Sequence, residues 1–238
     1  MTDDKRQSAP GESASLDWID ASIPYSPRFG DTYYSKAGGL AETDHVFIAG
    51  NSLPARWPAM RECTIGELGF GTGLNFLVTV YRWREIAPPG AKLHFVSFEL
   101  YPLAPAEMTK ALSRWPELNT LAQQLAEAWR PEPETLNVAF DANVELTVFL
   151  GDANALLPRH EFEADAWYLD GFAPSRNPQL WSARILSSIF AHTKPGGTFA
   201  TYTAAGQVRR DLQAAGFSVE RRPGFAGKRE MLTGRRSA

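Results

Sequence analysis

From Thr64 to the C-terminus, short apolar runs of strand length alternate with stretches of helical periodicity. That alternation admits few arrangements other than a mostly parallel β-sheet covered by helices. Thr64-Ile65-Gly66-Glu67-Leu68 reads as the first strand, and residues 74–85 as a helix with Leu74, Leu77, Val78 and Tyr81 along one face. Residues 93–98 form the second strand. Helices at 104–114 and 116–130 follow, then strands at 136–140 and 144–150 joined by Asp141-Ala142-Asn143. Residues 166–169 read as a further buried strand, and 179–192 as a helix stopped by Lys194-Pro195-Gly196-Gly197. A strand at 198–202, a helix at 206–215 and a closing pair of strands at 217–222 and 228–232 complete the pattern. The 238 residues suffice for one such domain over 61–238 plus an appendage. Residues 16–60, with Tyr33, Tyr34, Gly38, Gly39, Gly50 and several prolines, read as a β-rich N-terminal arm or lid, and residues 1–15 as a disordered tail.

The first strand runs into Glu67-Leu68-Gly69-Phe70-Gly71-Thr72-Gly73-Leu74-Asn75 at the point where a helix begins. Glycines there let backbone approach a ligand closely, and the helix start offers unpaired N–H groups. The spacing is G-x-G-x-G, whereas a dinucleotide site has G-x-G-x-x-G. Leu74-Asn75 stand where a phosphate-binding loop continues Lys-Ser/Thr, so a nucleotide triphosphate site is also disfavoured. An acid directly before the glycines repels a pyrophosphate and suits a cationic ligand such as the amino-acid end of S-adenosylmethionine. Glu99 ends the second strand 26 residues after Gly73, where a carboxylate accepts hydrogen bonds from both ribose hydroxyls. Asp152, after Gly151, lies where an adenine amino group is read. Solvated acids around a tight turn are the competing packing explanation. Three acids at successive strand ends favour a nucleoside-bearing cofactor, with Glu67, Gly69, Gly71, Gly73, Glu99 and Asp152 as its site.

Leu169-Asp170-Gly171-Phe172-Ala173-Pro174-Ser175-Arg176-Asn177-Pro178 follows the strand at 166–169. Ligands of an open α/β sheet bind beyond the carboxyl ends of its strands, so Asp170 is aimed at the same crevice as the glycines. A carboxylate beside a methyl donor orients an amine and accepts its proton, because only the neutral amine has a lone pair for attack. Phe172 is a candidate to stack on a planar base, with core packing as the alternative.

Composition excludes other chemistries. The single cysteine, Cys63, supplies neither an internal disulfide nor a thiolate metal cluster, and His45, His94, His160 and His192 lack ligand spacing. No metal is expected, and a reducing, cytoplasmic setting is the default. No run of 18 apolar residues occurs, so no membrane span is expected.

Six segments, ELGFGTGLNF, FELYPL, LDGFAPSRNPQLW, TYTAAGQVRRDLQAAGF, GFAGKREMLTG and the N-terminal DTYYSKAGGLAETDHVFIAGN, resemble the methyltransferase domain of the tRNA 5-methylaminomethyl-2-thiouridine biosynthesis family over residues 25–234. The resemblance implies a Rossmann-like class I S-adenosylmethionine-dependent methyltransferase fold, α/β, with helices on both faces of a mostly parallel sheet. It implies methyl transfer to the exocyclic amine of 5-aminomethyl-2-thiouridine at tRNA position 34, with Asp170 as the amine's partner. In that family the domain is often fused to a flavin-dependent oxidase. The sequence carries no second glycine-rich dinucleotide motif, so no flavin is expected here and a separate enzyme is expected to supply the aminomethyl group. A free-standing enzyme and a piece of a fused one both fit. A small-molecule amine methyltransferase on the same fold and a non-catalytic RNA-binding module are the alternatives.

The net charge of -3, from 24 Lys+Arg against 27 Asp+Glu, argues against binding nucleic acid by bulk attraction. It averages two unlike regions. Between Arg209 and Arg236 eight basic residues face three acids, a local +5 that leaves -8 elsewhere. Arg209, Arg210, Lys228 and Arg229 are therefore candidate contacts to an anticodon loop. Tyr33, Tyr34 and Phe47 in the arm are candidates to stack on the base or close over the methyl donor, each with core packing as its alternative.

Overall fold

The computed structural model describes residues 14–131 and 134–238. The expected tail lies outside the described residues apart from Ala14 and Ser15. The chain opens with a three-stranded antiparallel meander, β1 (Asp17–Ile19), β2 (Ile23–Ser26) and β3 (Asp31–Thr32). The strand-rich reading of 16–60 holds to Thr32 and then gives way to helix: α1 (Gly39–Glu42), a π-helical stretch (Thr43–Ala49) and α2 (Leu53–Arg56). Burial explains the change. Val46, Phe47, Ile48, Leu53 and Trp57 all enter the main core, with Phe47 stacked on Tyr168 at 5.1 Å between centroids and Trp57 edge-on to Trp83 at 5.5 Å. A helix brings such closely spaced apolar residues onto one packed stripe, which a strand's alternation cannot do.

The sheet then begins. β4 (Glu62–Leu68) leads through the glycine turn into α3 (Leu74–Ile86), followed by β5 (Lys92–Glu99), α4 (Pro105–Leu112) and α5 (Asn119–Ala128). β6 (Thr135–Asp141) and β7 (Val144–Leu150) form the expected hairpin, and α6 (Ala153–Leu156) leads to β8 (Ala164–Leu169). α7 (Ala183–Ala191), β9 (Thr193–Thr201), α8 (Gly206–Ala215), β10 (Ser218–Pro223) and β11 (Glu230–Arg235) close the chain. Two boundaries differ from expectation for local reasons. α7 starts at Ala183 because the Ser182 hydroxyl caps it, accepting from the Ile185 N–H. β9 absorbs Pro195-Gly196-Gly197 because Gly196 N–H donates to Arg236 O and Arg236 N–H to Gly197 O, so the supposed stop is paired backbone.

The eight strands lie in the order β10-β11-β9-β8-β4-β5-β7-β6. The central five, β9-β8-β4-β5-β7, are parallel, while the hairpins at both edges are antiparallel. Helices cover both faces, one over a core that includes α3 and α5 side chains and the other over a core built with α7 and α8. Strand order reverses between β4 and β8, since β4 continues to β5 on one side and β8 to β9 on the other. In an open α/β sheet the crevice at the carboxyl ends of two such strands is the ligand site. Gly69 and Asp170 follow those two strands directly. No helix among the described residues is long and apolar enough to cross a membrane.

Candidate active site

One cavity of about 610 Å³ occupies this crevice, within the size range of small-molecule sites. Its wall includes Gly69, Gly71, Glu99, Asp152, Asp170, Phe172, Tyr33, Tyr34 and Lys228. Nine candidate residues from six separate segments thus meet at one place. Two of the expected cofactor residues, Glu67 and Gly73, lie behind the wall, and Arg209, Arg210 and Arg229 do not line the cavity.

The position of Glu67 follows from strand alternation. It shares its sheet face with Cys63 and Ile65, the face covered by α3, so its side chain enters the interior and is fully buried. Its oxygens accept from the Asn75 amide at 3.0 Å and from the hydroxyl of Ser97, its register partner on β5, at 2.7 Å. Glu67, expected to meet a cationic ligand directly or through water, is thus held behind the cavity wall with Asn75 in front of it. Burial pushes the Glu67 carboxyl well above the usual carboxylate range, against the opposing pull of its Ser97 and Asn75 hydrogen bonds. A folded-state pKa raised above the unfolded one means the native state binds the extra proton, so Glu67 costs stability progressively as pH rises above the ordinary value of 4.5. Glu67→Gln keeps an acceptor for Asn75 and presents its amide to the Ser97 hydroxyl. Urea unfolding of this variant is therefore expected to show higher stability than the parent at pH 8, a difference that shrinks toward pH 4.5; equal stability at pH 8 contradicts the raised pKa.

Gly73 sits just before α3 with φ of +79°, and a Cβ there would lie 2.7 Å from a Leu125 methyl of α5. This glycine serves helix packing and lies away from the cavity wall. Gly71, φ +53°, does face the cavity, and the Tyr33 ring lies over it, 3.1 Å from where a Cβ would stand. Glu99 ties the turn to β5: Oε2 accepts from Gly71 N–H at 2.8 Å and Oε1 from Tyr101 N–H at 2.7 Å. Burial raises the Glu99 pKa, opposed by these backbone donors. Asp152 Oδ1 caps α6 through Asn154 N–H at 2.9 Å while its carboxylate lines the cavity.

Asp170 lies beside the glycine turn, half-buried, its carbonyl oxygen 3.5 Å from where a Cβ on Gly69 would stand. Oδ1 accepts from Gly171 N–H at 2.7 Å and Oδ2 from Asn75 Nδ2 at 2.8 Å. Burial pushes its pKa up to about 7, with Glu42 adding to the rise and the two hydrogen bonds and Lys228 opposing it. Lys228, in the β10–β11 turn, reaches the cavity with Nζ 3.9 Å from the centre of the Tyr202 ring, and the Tyr202 hydroxyl donates to Gly171 O at 2.9 Å. Phe172 has one face taken: Phe29 of the β2–β3 turn stacks on it at 4.5 Å and Tyr33 meets it edge-on at 5.1 Å. Asp31 Oδ2 accepts from Ala173 N–H at 3.1 Å, so the N-terminal meander and the β8 loop brace each other.

Other candidates have structural work. The Tyr34 hydroxyl lies 3.1 Å from Ser22 O and 3.0 Å from Ala111 O, linking the arm to α4, and Phe47 packs in the core. Arg210 donates to Gln207 at 2.8 Å on α8. Asn75, Glu42, Phe29 and Tyr202 line the cavity although sequence reading assigned them no role. Asn75 stood inside the glycine motif and was legible as a helix-start polar residue; the other three carry no sequence signal. Among the described residues no group of three or more His, Cys, Asp or Glu is placed to hold a metal ion.

The glycine turn, an acid beyond each adjacent strand and a cavity that they line together suit a nucleoside-bearing cofactor. Comparison with known proteins agrees. Residues 116–237 match the model of a family described as S-adenosyl-L-methionine-dependent methyltransferase. The chain is 48% identical over 229 residues to the tRNA 5-methylaminomethyl-2-thiouridine biosynthesis bifunctional protein MnmC of Stutzerimonas stutzeri, covering 94% of this chain and 34% of that protein. It is 46% identical over 230 residues to the protein of the same name from Methylobacillus flagellatus, covering 95% of this chain and 35% of the relative. The chain therefore spans about a third of the length of these curated relatives. The crystal structure of MNMC2 from Aquifex aeolicus superposes with a TM-score of 0.73 at 24% identity, covering 94% of this chain and 70% of that one, and shows the same fold.

Proposed function

Since this chain belongs to the S-adenosyl-L-methionine-dependent methyltransferase family, we propose that it methylates the exocyclic amine of 5-aminomethyl-2-thiouridine at tRNA position 34, giving 5-methylaminomethyl-2-thiouridine. The observation that carries this reading is the placement of Asp170, a hydrogen-bonded carboxylate with a pKa near 7, in one cavity with the glycine turn and Glu99. The relatives' name supplies the nucleoside.

S-adenosylmethionine, when bound, supplies an electrophilic methyl group on a sulfonium that departs as a neutral thioether. The chain's residues bind, orient and deprotonate. Gly69 and Gly71 allow close backbone approach, Glu99 accepts from ribose hydroxyls, and Asp152 takes the adenine amino group. Asp170 accepts a hydrogen bond from the substrate amine and takes its proton, leaving the nitrogen lone pair free to form the new N–C bond as the C–S bond breaks. Lys228, beside this carboxylate, favours its ionised form. Positioning of the neutral amine in line with the methyl is the protein's main contribution to the rate.

The partner is the anticodon loop, whose wobble base is already partly unstacked and enters a pocket at lower cost than a base paired in a duplex. A separate activity that installs the aminomethyl group acts first. Arg209, Arg210 and Arg229, outside the cavity, are assigned to phosphate contacts. Their replacement by glutamate is expected to weaken binding of an anticodon stem-loop by about tenfold or more and to flatten its salt dependence by about one unit of slope per lost contact. S-adenosylmethionine affinity, read by calorimetry, should not change. Unaltered RNA affinity and slope contradict this docking face, and salt-insensitive methylation of free amines favours a small-molecule substrate.

A further inference from the structure

Asn75 stands in the first turn of α3, 8% exposed, with every polar atom of its side chain engaged. Nδ2 donates to Glu67 Oε1 at 3.0 Å and to Asp170 Oδ2 at 2.8 Å, while Oδ1 accepts from the Thr43 hydroxyl at 2.7 Å. Chemistry fixes this orientation. Two carboxylate oxygens need donors and only the amide nitrogen offers two protons, so the amide oxygen must face Thr43. An aspartate here would set a third acceptor between two acids, and a serine has only one proton to give. The chain of contacts runs from Ser97 on β5 through Glu67 and Asn75 to Asp170 and the Gly171 N–H, with Thr43 tying it to the π-helical stretch.

We propose that Asn75, anchored by Thr43, is the positioning residue that turns the Asp170 carboxylate toward the substrate amine and couples it to the buried Glu67. The proposal rests on the reading of Asp170 as the amine's partner. The charged and titratable groups facing Asp170 are Glu67 from β4, Glu42 from α1, Lys228 from the β10–β11 turn and Tyr202 after β9, with Asp31 of β3 beyond Tyr202. Besides the Gly171 N–H, the Asn75 amide is the hydrogen-bond donor that favours the ionised form of Asp170 against burial and these acids.

The test is a ¹³C NMR titration of the full chain labelled at aspartate carboxyls, with the Asp170 signal assigned by Asp170→Asn. In Asn75→Ala the Asp170 midpoint is expected to rise by about one pH unit, because a donor to the ionised form is lost. The same variant should lose on the order of 10- to 100-fold in kcat for tRNA methylation at pH 7, with the loss shrinking toward pH 9 and S-adenosylmethionine affinity within about threefold. Thr43→Val leaves Asn75 in place but removes the donor to its oxygen, and should move both readouts the same way by less; it decides the matter alone if Asn75→Ala does not fold. An unmoved midpoint, or a kcat loss uniform across pH, overturns the proposal. The titration needs no substrate. A wild-type protein that fails to methylate tRNA while the midpoint still moves refutes the proposed function and leaves the Asn75 coupling standing.

Discussion

Asp170→Asn is expected to lower kcat for methyl transfer by about 10²- to 10⁴-fold while leaving S-adenosylmethionine affinity within a few fold. Asparagine preserves shape and one acceptor for the Asn75 amide, so the loss isolates the negative charge and the proton acceptor. An alkylammonium has no lone pair, and the variant offers it no base. The pH profile carries the same information. Asp170 is pushed up to about 7 by burial, so only part of the parent enzyme holds the ionised carboxylate at neutral pH. The parent's kcat should rise through pH 7 and level off above it, whereas the variant's residual rate should lack that inflection. Near-normal methylation by Asp170→Asn removes this carboxylate from the mechanism.

Glu99→Ala is expected to act on the other half of the cavity, weakening S-adenosylmethionine binding by about 10²-fold or more, with kcat at saturating cofactor much less affected. Glu99 bridges the Gly71 and Tyr101 N–H groups, so its carboxylate fixes the glycine turn against β5 and also presents charge to the cavity. Truncation removes two charge-assisted hydrogen bonds that shape the wall together with the acceptor for the ribose hydroxyls. Calorimetric titration reads the effect directly. Unchanged affinity would restrict Glu99 to a role in folding. The two substitutions split cleanly between kcat and cofactor Kd because the two acids follow different strands on either side of β4, Glu99 ending β5 and Asp170 coming after β8.

Much of this arrangement was legible in the sequence. The strand and helix order after Thr64 is legible because apolar runs of different period leave little choice, and the β6–β7 hairpin because its turn residues are distinctive. Asp170 and Glu99 were legible as acids at strand ends, where topology rather than local sequence sets the ligand site. The helical half of the arm was obscured by tyrosines, glycines and prolines that suggest strands and turns, whereas burial of Phe47, Ile48 and Trp57 against the sheet decides the outcome. The burial of Glu67 was legible too: counting by two from Cys63 and Ile65 places it on the face covered by α3. Gly73 shows a glycine retained for contact with Leu125, which no linear motif reveals. Asn75 depends on Thr43, Glu67 and Asp170, three residues far apart in the chain that only the fold brings together.

The most direct test of the proposed reaction is nucleoside mass spectrometry of tRNA that carries 5-aminomethyl-2-thiouridine, after incubation with the protein and S-adenosylmethionine labelled in its methyl group. The expected result is a labelled 5-methylaminomethyl-2-thiouridine that grows as the aminomethyl nucleoside disappears and is absent with Asp170→Asn. A wobble nucleoside left unlabelled, or label recovered in a different nucleoside, contradicts the assignment.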